Sequence, residues 1–408
     1  MRKLFILLTI LTIQTVQARS VVSDARVKTL QVVVNDDWLS PPVMKLAGDV
    51  VTISFDELSH DYHRYLYRVE RCEYDWTPSD GVFESDWLDG FNDNPIEDYE
   101  HSLNTTVLYT HYRFRIPNDR CRLRMSGNYR VHIVDEADGR EVACAELRVV
   151  DPRMRLGLSV STNTDVDMNR SHQQVTMSVG YDQLRVTNPD EQIRTLVMQN
   201  GREDNLKKNI RPTHITPQGL RWEHSRPLIF EAGNEYHKFE VLDVSHATMG
   251  LERIVWDGER YQAFPFANTP RMNYLYDEDA NGAFYVRNSD NIENDRTCDY
   301  VYVNYRLQAA PYSAADIVVD GMWTSGQTDL YRLSYDEDAH GYTGRILQKQ
   351  GYYSYQYLLR DKDGTTHLVP EEGSFFETEN RYQGFVYYKG TGDRTWLLVG
   401  YQQVVFRP

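Results

Sequence analysis

Basic charge, cysteine and long apolar runs are all scarce in this chain, and each scarcity removes a class of function. Lys and Arg number 44 against 60 Asp and Glu in 408 residues, for a formal charge of −16. Nucleic-acid binding needs clustered cations to neutralise phosphates, so no nucleic-acid partner is expected. The same acidity is repelled by anionic lipid. Beyond residue 20 no apolar run approaches the ~20 residues that span a bilayer as a helix, so no direct membrane insertion is expected. Four cysteines, Cys72, Cys121, Cys144 and Cys298, are too few for a disulfide-stapled framework, and no Cys-x-x-Cys pair exists. A single disulfide between Cys121 and Cys144, which flank one hairpin, stays open beside the reading of all four as buried apolar thiols.

Motifs of common chemistry are missing too. There is no Gly-x-Ser-x-Gly elbow and no glycine-rich phosphate loop. No amphipathic helical pattern is sustained over 12 residues, which disfavours a parallel βαβ architecture, because its crossovers need helices.

What is present begins with an export signal. Met1-Arg2-Lys3 is a short positive start, Leu4 to Ile13 an apolar core, and Val16-Gln17-Ala18 a small-residue cleavage site. Residues 1–18 therefore read as a cleaved signal peptide. An ordinary globular share of hydrophobic residues, 41%, excludes a disordered chain.

Alternation at period two then recurs almost from end to end. Tyr129, Val131 and Ile133 are expected on one strand face, with Arg130 and His132 on the other. Asn128 to Val150 reads as a hairpin with Asp138-Gly139 in a type I′ turn, and Tyr353 to Val369 as a second with Asp363-Gly364 at its tip. Leu30–Val34, Val50–Phe55, Tyr65–Glu70, Tyr300–Leu307 and Gly384–Tyr388 are further strands. The fold class expected is all-β: tandem immunoglobulin-like or early-set antiparallel β-sandwiches. Asp151-Pro152 and the polar stretch Asn288–Asp295 suggest the boundaries, giving sandwiches over residues 19–152, 153–290 and 291–408.

Four local patterns are weighed for chemistry. His60-x-x-His63, with Asp61 between, has metal-ligand spacing but sits where a loop enters a strand, and a polar loop is the better reading. Asp277-x-Asp279-x-Asn281-Gly282 copies the start of a calcium loop, yet Asn288 stands where its bidentate Glu belongs; the alternative is an Asn-Gly turn between strands Tyr274–Tyr276 and Ala283–Val286. Glu377 and Glu379 are expected on one strand face, as paired carboxylates for glycoside hydrolysis or as acidic surface, the latter favoured. Tyr353, Tyr355 and Tyr357 share one face and read as sandwich core, with Tyr352 opposite. No catalytic, cofactor-binding or metal residue is assigned, and no cofactor is expected.

Several blocks together are more telling than any one. They include Pro41–Phe55, Val69-Glu70-Arg71-Cys72-Glu73-Tyr74-Asp75-Trp76, Ile96–Thr105, Ser126-Gly127-Asn128-Tyr129, Gly233-Asn234-Glu235-Tyr236, Leu347–Tyr353 and Glu372–Asn380. In this order the chain resembles the plug protein family of the type IX secretion system of Bacteroidetes. The resemblance implies a non-enzymatic periplasmic protein. It would associate with the outer membrane through a protein partner, a large β-barrel translocon whose periplasmic end it closes. The C-terminal part also resembles early-set carbohydrate-binding sandwiches through Val319–Thr324 and Gly351–Tyr357. Glycan binding on Trp323 is therefore the alternative, set against Trp323 as a core residue.

Overall fold

A computed structural model describes residues 20–324 and 328–407; the expected signal peptide, residues 1–18, lies outside them. The chain is all-β, with 48% of residues in strands and 5% in helices. The three α-helices among the described residues are single turns of four residues, Glu84–Trp87, Pro189–Gln192 and Asn294–Thr297.

The first sandwich packs two sheets over one core. One sheet orders Val21–Val22, Glu141–Val150, Gly127–Asp135, Tyr65–Cys72 and Asn94–Pro95; the other orders Val27–Val34, Val51–Glu57, Thr110–Ile116 and Asp98–His101. Tyr129, Val131 and Ile133 are fully buried while Arg130 and His132 face outward, as period two requires. The hairpin forms, but only Gly139 of its tip carries positive φ, +71°, whereas a type I′ turn needs two such residues. Asp135 N–H instead donates to Arg140 O and Gly139 N–H to Asp135 O, each at 2.9 Å, so a longer loop ends on a left-handed glycine. The tip at Gly364 follows the same logic.

The second sandwich faces a sheet of Arg155–Ser161, His172–Gly180, Gly219–Trp222 and His214–Thr216 with one of Lys207–Lys208, Ile193–Gln199, Asn380–Tyr388 and Leu397–Phe406. The sheets thus group the strands differently from a split at residue 290. The C-terminal hairpin pairs with Ile193–Gln199, and Tyr382, Val386 and Val399 fill the same core as Val175, Met177 and Trp222.

The third sandwich is inserted between these halves. Its strands run in the order His237–Val241, Gly351–Asp361, Ala315–Asp320, Arg332–Asp336, Gly341–Lys349, Tyr300–Leu307, Tyr261–Pro265 and Leu251–Trp256. Residues from both ends of that order, Phe239 and Leu251, share one apolar core, so the sheet folds over on itself. Tyr353, Tyr355 and Tyr357 lie in this core, each nearly inaccessible. The entering and leaving linkers are tied side by side: Phe375 N–H donates to Gly233 O at 2.8 Å, and Asn234 Nδ2 to Glu372 O at 2.8 Å.

Candidate functional site

The residues singled out by local pattern do not converge on a reaction centre. His60 Nε2 lies 3.1 Å from Ser102 O, while His63 Nδ1 faces Glu57 Oε2 at 3.2 Å, so the two rings serve different partners. In the calcium-like loop, Lys238 Nζ donates to Asp277 Oδ1 at 2.6 Å. Asp279 accepts the backbone N–H groups of Tyr236 and Asn281, both at 2.5 Å. Burial, reinforced by Glu235, pushes the Asp279 carboxyl up to about 7. Residues 274–276 form no strand, and the turn leads only into Phe284–Val286.

Glu377 and Glu379 precede the strand Asn380–Tyr388 in a turn instead of sharing a strand face. Arg407 Nε donates to Glu379 Oε2 at 2.9 Å, so that carboxylate is paired. All four cysteines are free and buried, so Cys121 and Cys144 form no disulfide. Trp323 stacks on Tyr305 at 6.4 Å between centroids and meets Tyr331 and Tyr353 edge-on at 5.7 and 5.5 Å. Its indole N–H donates to Ser354 O at 3.1 Å. The ring is partly buried and packs against the third core.

Polar groups do converge at the junctions between sandwiches. Asp56 of the first and Lys349 of the third are both fully buried, with Nζ 2.6 Å from Oδ2. Tyr300 O–H donates to the same carboxylate at 2.6 Å, and His111 Nδ1 lies 2.7 Å from its other oxygen. The ammonium also donates to Asp295 O at 2.6 Å and sits 4.2 Å from the Tyr109 ring centroid. Burial alone would raise the Asp56 carboxyl; Lys349 and His111 outweigh it and hold the group below the ordinary carboxylate range.

The first and second sandwiches meet around Arg71. Its guanidinium donates to Ser79 Oγ at 2.7 Å, Ser126 O at 2.9 Å, Trp396 O at 2.6 Å and Thr395 Oγ1. Tyr387 O–H reaches across to Asn128 Oδ1 at 2.7 Å. Arg148 donates to Glu203 Oε1 at 2.5 Å while lying between the rings of Trp76 and Phe385. At the linkers into the third sandwich, Glu372 is held by His237 Nε2 at 2.9 Å and by Arg271. Burial opposes its ionisation, but His237 and Arg271 prevail and lower its carboxyl to about 2. Local sequence signals none of these pairs, since their members lie up to 325 residues apart.

The exposed surface has one further feature. The segment after Tyr261–Pro265 carries Phe266, Met272, Leu275 and Tyr276 on the outside, with Met272 81% and Leu275 80% exposed. Clustered exposed apolar side chains mark contact surfaces more often than chance. No periodicity marks it in the sequence, where Phe266 to Tyr276 interleaves large apolar residues with Ala, Asn, Thr, Pro and Arg.

Comparison with known proteins gives three findings. Residues 27–151 match the model of the type 9 secretion system plug protein 1st domain. A crystal structure of a hypothetical protein from Parabacteroides merdae is 32% identical, with a TM-score of 0.92 over 95% of this chain and 99% of that one. Dimeric latent PorU from Porphyromonas gingivalis aligns at 10% identity over 93% of this chain and 34% of that one, with a TM-score of 0.15, too low to bear on the fold. No curated protein matches.

Proposed function

The chain belongs to the type 9 secretion system plug protein family, its first domain lying at residues 27–151, and from that premise we propose that it closes the periplasmic end of the outer-membrane translocon barrel. Residues 1–18 direct it to the periplasm and are then cleaved, and it acts there by shape and surface, making and breaking no bond. The observation that carries this reading is the family match, and the junctions give it a physical basis. A stopper in an aqueous opening must hold its outline, and buried ion pairs joining three sandwiches resist relative motion because separating them strands charges away from their partners. An acidic, polar exterior keeps such a body out of lipid. We assign the exposed Met272, Leu275 and Tyr276 to contact with the barrel, since apolar side chains of that exposure gain most when a partner covers them.

Affinity-tagged native chain recovered from outer membranes in mild detergent tests this. The large barrel is expected to co-purify, and the double variant Met272→Asp/Leu275→Asp should recover less of it while melting at an unchanged temperature. Recovery of the chain without any barrel would contradict the proposal.

A further inference from the structure

The outward face of the first sandwich carries a side-chain cluster that neither the junctions nor the plug reading uses. We propose that His132 Nδ1, Glu141 and Cys144 bind one zinc-like divalent cation. His132 and Cys144 are directly opposite in the antiparallel register, which brings their β-carbons to about 5 Å. The third ligand depends on a bulge. The register slips between Ile133 and Val134, so Glu141 pairs with Val134 on the outer face; an unbroken ladder would set it opposite Asp135, on the parity of the core residues Val131 and Ile133.

The three donor atoms lie within 4.8 Å of one another, with Nδ1 2.6 Å from Glu141 Oε2. Metal–ligand bonds of about 2.0–2.3 Å put tetrahedral donors some ~3.5 Å apart, so closure needs only a small rotation of the half-exposed Glu141 and of the thiol. The second ring nitrogen strengthens the assignment. His132 Nε2 faces Glu70 Oε2 at 3.4 Å, the carboxylate–histidine arrangement that orients metal-bound imidazoles. Glu70 is itself held, by Cys72 Sγ at 3.7 Å and Arg130 Nη1 at 3.8 Å. One nitrogen, one sulfur and one oxygen select zinc-like ions over calcium or magnesium. Cys144 is 8% exposed, so the site is shielded on the thiol side and open on the Glu141 side, where water can complete the shell.

Cobalt(II) is the probe. The full mature chain, kept reduced, should bind about one equivalent with a thiolate-to-cobalt charge-transfer band in the near ultraviolet that zinc(II) displaces. Cys144→Ser should lose the band with an unchanged circular dichroism spectrum. Glu70→Gln keeps every ligand and should weaken binding about 10–100-fold. Absence of the band in the native chain, its survival in Cys144→Ser, or unchanged affinity in Glu70→Gln would each overturn the assignment.

Discussion

Lys349 and Asp56 illustrate what single residues do in this molecule. Neither can reach water, so each makes the other tolerable, and Tyr300 and His111 satisfy the remaining carboxylate positions. Lys349→Met should lower stability by about 3–5 kcal/mol, the cost of leaving one buried charge unpaired. Adding Asp56→Asn should restore most of that loss. Urea denaturation of the two variants checks both statements, and a single variant within 1 kcal/mol of the native protein would refute the first. Glu372 makes a pH prediction. Its folded carboxyl titrates at about 2, below the ordinary glutamate value of ~4.3. A lowered carboxylate gives stability that is complete above ~4.3 and drains away as pH falls toward 2. Glu372→Gln should therefore flatten the stability–pH curve across that window, which denaturation at stepped pH would reveal.

Strands were the part of the fold most legible in the sequence. Tyr300–Leu307 was readable to the residue and Gly127–Asp135 nearly so, because one buried face imposes alternation on its own strand. Partnership was not legible. Asn380–Tyr388 is buried along its whole length and would read the same whether it paired with the third sandwich, which precedes it, or with Ile193–Gln199, some two hundred residues earlier. That choice is made by the core it fills. A chain ending at residue 379 keeps every strand of the third sandwich but loses Tyr382, Val386 and Val399 from the second. The second sandwich should then unfold while the third persists. Limited proteolysis should cut such a chain throughout residues 155–231 and spare 300–361; protection of both regions would contradict the inserted arrangement.

At the scale of the whole molecule, the family-like blocks were legible because they recur in order, whereas the surfaces that join the sandwiches were not. Arg71 and Cys72 lie inside one of the family-like blocks, but nothing local predicts that Arg71 holds the carbonyl of Trp396. Trp323 packs against the third core, as favoured over a glycan platform, whereas Glu377 and Glu379 do not share the strand face that alternation gave them. Spacing along a chain says which residues are neighbours, not which faces the third dimension leaves open. The result is one body of three sandwiches joined through buried polar contacts, and the proposed role of this body is to block a pore. The most direct test is ion conductance through the purified translocon barrel in a planar lipid bilayer. With the chain bound the barrel should be closed, and stripping the chain away should open it. Equal conductance with and without the chain would contradict a plugging role.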